Sequence, residues 1–312
     1  MDFAQIFETW KAMMAAGEDL PWWQDFYVKF YQAFIEAGRW QEYLQGVGVT
    51  LVATALALLM GVILGVAVSM VRTAHDQQRP GRRKNPALGV VNAVFKVYVT
   101  VIRGTPMMLQ LLIWAFVVFK SRQYTLVGIF GLGINSGAYV SEIIRGGLMA
   151  VEVGQMEAGR SLGLNYLDTM RFIVIPQAIK AILPALGNEF IILLKDTSLL
   201  SVIGGQELIY FAQAIANRNY EQMFPLVGAA CMYLVLVMIF TWLLGKLERG
   251  QGDVFPDGHI GEQVEVLEHH PHLAAYRVDV HLGVGNDGAV KGDGAGGGKL
   301  QQVQAAQEGG LA

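Results

Sequence analysis

The chain lacks most of the features on which nucleic-acid-binding proteins, disulfide-rich domains and nucleotide hydrolases depend. Only 16% of its 312 residues are charged, and a net charge of −3 argues against the basic surface of a nucleic-acid binder. Its one cysteine, Cys231, excludes an internal disulfide and a cysteine-based metal site. The phosphate-binding sequence G-x-x-x-x-G-K-[ST] is absent, so the chain has no Walker A loop. Residues 1–43 also lack the pattern of a secretory signal.

Apolar residues are what the chain has in excess. They make up 53% of the sequence and are gathered into blocks long enough to cross a bilayer. A spanning backbone must satisfy its own hydrogen bonds, so the fold is predicted to be an all-α integral membrane protein. The predicted five spans cover about 46–71, 99–119, 126–149, 178–202 and 224–244, with an outer loop over 204–222.

Basic residues between the first two blocks predict the orientation. The first span is followed by Arg72, Arg79, Arg82, Arg83 and Lys84, so this loop is expected in the cytosol, with the N-terminus outside and the C-terminus inside. The block after it is too long for one crossing. Residues 88–98 are therefore predicted to lie as an amphipathic helix along the cytosolic surface, before a second span that is kinked at Pro106.

The two ends of the chain differ in composition from the spans. In residues 1–43, aromatic and acidic residues alternate, which favours helices at the membrane surface and leaves a small soluble cap as the alternative. Residues 250–312 are rich in glycine, acidic residues and histidine, and are predicted to be disordered or a reading-frame artefact. His269, His270 and His272 have no second ligand cluster at a suitable spacing, so no metal site is predicted.

Polar residues inside the third and fourth spans mark a candidate solute path. A polar group in hydrocarbon faces the protein interior or a wet cavity, because leaving it unsatisfied is costly. The alternative is that these groups only bond helix to helix, and that Glu142 pairs with Arg145. Gly61 and Gly65 on the first span form either a dimer face or an internal contact. The candidate path residues are Asn135, Tyr139, Glu142, Asn188 and Glu189.

A polar stretch between the third and fourth spans has the pattern of a defined elbow. Glu157 is predicted to open a short helix, Gly163 to break it, and Pro176 to start the returning span. Such an elbow would let a membrane protein receive force from a soluble partner. The alternative is an ordinary loop.

In order and spacing, these residues resemble the EAA loop of the membrane subunits of bacterial ATP-binding-cassette (ABC) importers, with Gly159 in place of the second alanine. Other stretches resemble signatures of the branch that carries polar amino acids, though their roles are not assigned. These are Arg103, Gly104, Thr105 and Pro106, then Arg145, and then Lys195, Asp196, Thr197 and Ser198.

The resemblance implies a type I ABC importer permease in the bacterial plasma membrane, with residues 44–249 as its five-helix domain. It also implies that a coupling helix docks on a dimer of separate ATP-binding subunits, which hold the ATP and Mg²⁺. A second permease copy, an extracytoplasmic amino-acid-binding protein and membrane lipid complete the expected partners. The coupling residues implied are Glu157, Ala158, Gly159, Arg160, Ser161, Gly163 and Pro176.

Two other classes of function remain open from the residues alone. In an ion-coupled secondary transporter, Glu142, Glu189 and Asp196 would relay protons or bind sodium, although the chain shows no convincing internal repeat. In a membrane-embedded enzyme, Glu142 would act as acid or base, although no nucleophile and base stand in a recognisable arrangement.

Overall fold

The computed structural model describes residues 3–76 and 85–252, and within these ranges every regular element is a helix. The basic loop residues from Arg79 to Lys84, and the tail predicted to be disordered or a frame artefact from residue 253 onward, lie outside the described residues. The α-helices are α1 (Phe3–Ala15), α2 (Trp22–Phe34), α3 (Trp40–Asp76), α4 (Pro86–Gly104), α5 (Met107–Leu112), α6 (Tyr124–Met149), α7 (Val153–Ser161), α8 (Tyr166–Thr169), α9 (Ile175–Asp196), α10 (Leu208–Asn219) and α11 (Met223–Gly252).

Five helices of the described chain are long and apolar enough to cross a membrane, as predicted. A short π segment and a 3₁₀ segment extend the fourth of them, which runs continuously from α8 through α9 to Ile203. The five cover Trp40–Asp76, Pro86–Gly104, Tyr124–Met149, Tyr166–Ile203 and Met223–Arg249.

The second of these helices differs from its prediction in where it begins and ends. It is one continuous helix over Pro86–Gly104, where a separate surface helix and then a span kinked at Pro106 were expected. The Asn85 side chain accepts a bond from the Ala87 N–H at 3.1 Å, and Pro86 pre-sets the first turn, so the helix starts here. Thr105 is extended because the residue before a proline avoids the helical region, so the helix ends rather than bends.

The centre of the bundle is the contact between α3 and α6, which run parallel. A Cβ at Gly61 would lie 2.7 Å from the Ser136 hydroxyl oxygen, and one at Gly65 would lie 2.6 Å from Val140. Neither position has room for a side chain, so both glycines serve internal packing rather than a free dimer face. This close approach also fixes the position of α6 along the axis of α3, and α6 carries part of the candidate solute path.

The predicted outer loop over 204–222 is mostly the helix α10. Leu208, Ala212, Ile215 and Ala216 are fully buried and recur at the helical spacing of four, seven and eight. The segment is shorter than a span, which is why hydropathy alone predicts a loop; its apolar stripe packs against α3 and α11.

The helices α1 and α2 form a hairpin that folds on itself and on the bundle. Trp10 meets the rings of Trp23 and Tyr27 edge to face, at 5.2 and 5.5 Å between centroids, and so joins α1 to α2. Phe26 of α2 packs on Phe224 of α11 at 5.0 Å. Cys231 is exposed further along α11. The hairpin of α1 and α2 is therefore attached at the same end of the bundle as α10.

Candidate functional site

The elbow contains a short helix, α7, that begins at Val153 and ends at Ser161. Glu157 was predicted to open it but lies in its second turn, and Glu152 is the residue before the first turn. Gly163 ends the helix in the left-handed region, with φ of +83°. Its N–H bonds to the Arg160 carbonyl at 3.0 Å, a terminating pattern that strongly favours glycine. The predicted helix and glycine break are both present.

Gly159 shows why alanine does not stand at that position. It is buried, and a Cβ there would lie 2.5 Å from Thr169 Cγ2 and 3.0 Å from Ile173 Cδ1. The helix α7 therefore lies directly on the start of the fourth span, with Gly159 as the point of contact. This packing makes the elbow a rigid unit rather than an ordinary loop.

Pro176 lies in the first turn of α9, at the predicted start of the returning helix, although the short α8 and a π-helical segment extend that helix back to Tyr166. Proline cannot donate the bond that an α-helix needs at this point, and the turn before it, Met170–Val174, is a π-turn. The side chain of Gln177 donates to the Ile173 carbonyl at 3.0 Å, one turn back along the same helix. The proline sets local geometry and leaves the helix intact.

The outer surface of the elbow is unusually apolar for a segment between spans. Val153 is 77% exposed, Leu162 79% and Leu167 74%. Glu157 and Arg160 are exposed among them. Large apolar side chains grouped beside charged ones on an exposed surface are typical of a protein-binding site. The Ser161 hydroxyl donates to the Glu157 carbonyl at 3.0 Å and faces no other group of the described chain.

A small cavity of about 180 Å³ lies between α6, α9 and the break after α4. It brings together three of the five predicted path residues, Asn135, Tyr139 and Glu189, with Asp196 from the predicted signatures. Glu189 is 5% exposed, and one of its oxygens accepts from the Ser136 hydroxyl at 2.8 Å. The full lining is Thr105, Met107, Asn135, Tyr139, Glu189, Ile192, Leu193 and Asp196.

Gln110 organises one wall of this cavity and was missed by sequence reasoning. Its amide nitrogen donates to the Ile102 carbonyl at 2.7 Å and to the Thr105 carbonyl at 3.1 Å, which the break at Pro106 leaves without helical donors. Its amide oxygen accepts from Asn135 Nδ2 at 3.0 Å. A single glutamine in an otherwise apolar helix, four residues after a proline, is the signal that could have found it.

Two predicted path residues lie away from the cavity. Asn188 is exposed on α9. Glu142 accepts a bond from Arg72, and Arg145 reaches Asp76 at 2.9 Å rather than pairing mainly with Glu142.

The predicted signature residues divide between the cavity and the helix frame. The Arg103 guanidinium lies over the Tyr139 ring at 5.1 Å from its centroid, so a cation stands beside the cavity wall. Thr105 lines the cavity, whereas Gly104 and Pro106 form the helix break. Lys195 is exposed, and the buried Thr197 hydroxyl donates to the Leu194 carbonyl at 2.7 Å. The Ser198 carbonyl accepts a hydrogen bond from the Ser201 hydroxyl.

The cavity can bind a small solute that carries a positive group. Glu189 and Asp196 supply carboxylates, Asn135 and Thr105 supply neutral hydrogen-bonding groups, and the carbon atoms of Ile192 and Leu193 supply an apolar surface. A carboxylate in an apolar wall is a favourable partner for an ammonium group, since water competes little there.

Glu207 is a second buried carboxylate, at the end of the bundle opposite the elbow. It is fully buried and caps α10, accepting from the N–H groups of Ile209 at 2.8 Å and Tyr210 at 2.9 Å. The Tyr233 hydroxyl donates to it at 2.8 Å. Burial raises the pKa of Glu207 to about 7, although these hydrogen bonds act in the opposite direction.

Comparison with known proteins finds transport proteins along most of the helical part. The model of the family described as "Binding-protein-dependent transport system inner membrane component" matches residues 87–252. The glutamine transport system permease protein of Escherichia coli (strain K12) is 33% identical over 212 residues, 66% of this chain and 91% of that protein. A relative in Rickettsia bellii (strain RML369-C) is 35% identical over 210 residues, again 66% of this chain and 91% of the relative.

Solved structures give the same result for the fold. A crystal structure of an amino acid ABC transporter with histidines is 38% identical, has a TM-score of 0.60, and is matched over 67% of this chain and 94% of that chain. The MetNI methionine ABC transporter in an inward-facing conformation is 17% identical with a TM-score of 0.59, and supports the fold alone.

Proposed function

Because this chain belongs to the family of inner membrane components of binding-protein-dependent transport systems, we propose that it carries a polar amino acid, such as glutamine, across the bacterial inner membrane. The observation that supports this most directly is the elbow. It is a rigid helix with an exposed apolar surface, located between the third and fourth spans.

Family membership decides between the classes of function that the residues left open. Members are permease subunits of ABC importers, and the hydrolysis of ATP belongs to a partner subunit. The predictions of an all-helical type I importer fold and of a non-catalytic permease are therefore confirmed. The ion-coupled carrier and the membrane enzyme are set aside.

The elbow is proposed as the coupling helix. Its exposed residues Val153, Leu162 and Leu167 would enter a groove of the ATPase subunit, and Glu157 and Arg160 would make polar contacts at the rim. Since Gly159 fixes α7 on the start of the fourth span, movement of the ATPase would tilt that span instead of bending a loop. ATP and Mg²⁺ would be held by the ATPase alone.

The cavity beside α6 and α9 is proposed as part of the solute path. Its volume of about 180 Å³ is small against the pockets of drug-sized ligands, roughly 300–1,000 Å³, and so suits a small solute. Glu189 and Asp196 would bind the ammonium group, and Arg103 beside Tyr139 would attract the carboxylate. Asn188 and Glu142 are not included in this path.

The remaining partners follow from this placement. The α7 end would face the cytosol, and the end with α10 and residues 1–43 would face the extracytoplasmic binding protein. A second permease copy, identical or related, would complete the path. Residues 44–249 would form the permease domain, with 1–43 as an outer cap, and residues 250–312 receive no role.

The test changes the elbow surface and measures capture of the ATPase subunit. Leu162→Asp places a charge in the proposed contact, so the purified permease should no longer retain its ATPase partner, and uptake into proteoliposomes should be lost. Tyr220→Asp is the matched control for ATPase capture, because Tyr220 is 96% exposed at the opposite end. Normal ATPase capture and uptake by Leu162→Asp would contradict the proposal.

A further inference from the structure

Four side chains of alternating charge connect the ends of α3 and α6 just before the elbow. Arg72 donates to Glu142, Glu142 lies 3.9 Å from Arg145, and Arg145 bonds to Asp76 at 2.9 Å. Arg72 and Asp76 belong to α3, whereas Glu142 and Arg145 belong to α6. The sequence offered only the short Glu142–Arg145 pair, because Arg72 lies 70 residues away along the chain.

The charged contacts continue an apolar contact between the same two helices. On α3, Gly61, Gly65, Arg72 and Asp76 follow one another at helical spacing and so share a face. The two glycines touch Ser136 and Val140 of α6, and the charged contacts lie further along the same two helices towards the α7 end. The network therefore holds the helices together where close packing of glycines stops.

The burial of the pairs shows which one contributes most. The Arg72 and Glu142 side chains are 15% and 29% exposed, whereas Arg145 and Asp76 are 33% and 53% exposed. Ion pairs strengthen as water is removed, and exposed ones contribute little. Arg72–Glu142 is thus the inner pair, and Arg145–Asp76 is an outer link that keeps Arg145 oriented.

We propose that the Arg72–Glu142–Arg145–Asp76 network makes α3 and α6 one rigid body, so that force received by α7 moves α3 together with α6. The four side chains are positioning residues for coupling and do not contact the solute. The inference rests on the proposed role of α7 as the coupling helix. Only residues 150–152 separate the end of α6 from the start of α7, so the network lies where this force would enter the bundle.

A covalent bridge tests the proposal directly. In a Cys231→Ser background, which removes the chain's one thiol, Arg72→Cys and Glu142→Cys are combined and reconstituted with the ATPase and the external binding protein. Before bridging, solute moved per ATP hydrolysed should fall by about 2- to 30-fold, with the solute KM unchanged. A short bifunctional thiol reagent should then restore most of this ratio.

The opposite outcome would overturn the proposal. If α3 and α6 separate during the cycle, the bridge would stop uptake completely; if the network is idle, the unbridged variant would couple normally. Glu142→Gln provides a second measurement in case the double variant folds poorly. A large rise in solute KM with normal coupling would place Glu142 in the solute path instead.

A matched control lies at the other end of the molecule. Arg218 of α10 pairs with Glu42 of α3, and Arg218→Cys with Glu42→Cys removes a comparable pair far from α7. This variant should couple normally with or without the bridge. Failure of the underlying function is distinguishable, because variants of the network should still capture the ATPase, whereas Leu162→Asp should not.

Discussion

The two ends of the helical bundle are built on different principles. At the α10 end, the buried carboxylate of Glu207 is partnered within the chain by the Tyr233 hydroxyl, and the N-terminal hairpin covers part of the surface. At the α7 end, large apolar side chains such as Leu162 and Leu167 are exposed. One end holds a charged cap within the chain, while the other exposes an apolar elbow that a partner would cover.

This difference separates changes that affect stability from changes that affect coupling. Substitutions at the α10 end remove contacts that already exist and should lower the free energy of unfolding. Substitutions at the α7 surface remove contacts that form only in a complex, so the isolated chain should tolerate them. The predictions below test this separation, beginning with the largest expected effect.

The first prediction concerns the packing under α7. Gly159→Val would press against Thr169 and Ile173, and overpacking of this kind costs about 1–3 kcal/mol locally. Because the elbow would be displaced, we expect uptake in proteoliposomes to fall at least tenfold while membrane insertion is retained. Gly154→Ala is the control, since a Cβ at Gly154 meets nothing within 4 Å. Equal uptake by both variants would contradict a rigid elbow.

The second prediction concerns the buried cap of α10. Glu207→Ala leaves the N–H groups of Ile209 and Tyr210 and the hydroxyl of Tyr233 without their acceptor. Each unsatisfied buried group costs about 1–3 kcal/mol, so the thermal midpoint in detergent should fall clearly. Capture of the ATPase by the folded fraction should be unchanged. A loss of capture at normal stability would show that the two ends are not separable.

The third prediction is a dependence of stability on pH from the same residue. The pKa of Glu207 is raised to about 7 from 4.5, so between these values the folded chain binds more protons than the unfolded chain. The stabilising contribution is complete below about 4.5 and is lost as the pH rises through about 7, by on the order of 2–3 kcal/mol. Thermal unfolding of the wild type and Glu207→Gln from pH 5 to 8 should differ in slope. Parallel curves of unfolding temperature against pH for the two proteins would contradict a raised pKa of Glu207.

The smallest effect is expected at an exposed pair of the α10 end. Arg218 and Glu42 are 49% and 29% exposed, and pairs of this kind contribute about 0–1 kcal/mol. Arg218→Ala should therefore change the thermal midpoint little and should leave uptake intact. A large loss would mean that this end, too, transmits force.

Local signals in the sequence predicted much of this architecture. Gly163 ends α7 because a left-handed residue favours glycine. The spacing of Asn135, Tyr139 and Glu142 predicted one shared face; the first two line the cavity, whereas Glu142 pairs with Arg72 outside it. Hydropathy found the spans because hydrocarbon selects for apolar length.

Contacts between distant segments were the ones that sequence could not supply. Arg72 was predicted to be a charge of the cytosolic loop, and its bond to Glu142 exists only because α6 packs against α3. Gln110 belongs to no recognisable motif. It can bond to the carbonyls of Ile102 and Thr105 only because the break at Pro106 leaves these carbonyls free. The helix α10 was missed because its buried face depends on α3 and α11.

The π-helical segment Met170–Val174 determines where the fourth span can gain or lose a residue during evolution. A wide turn of this kind absorbs one extra residue locally, so that the helix on either side keeps its facing. Loss of a residue anywhere between Ile175 and Glu189 would instead rotate Glu189 by about 100° relative to α7. Single-residue insertions and deletions in this span should therefore be tolerated at Met170–Val174, whereas those between Ile175 and Glu189 should be removed by selection.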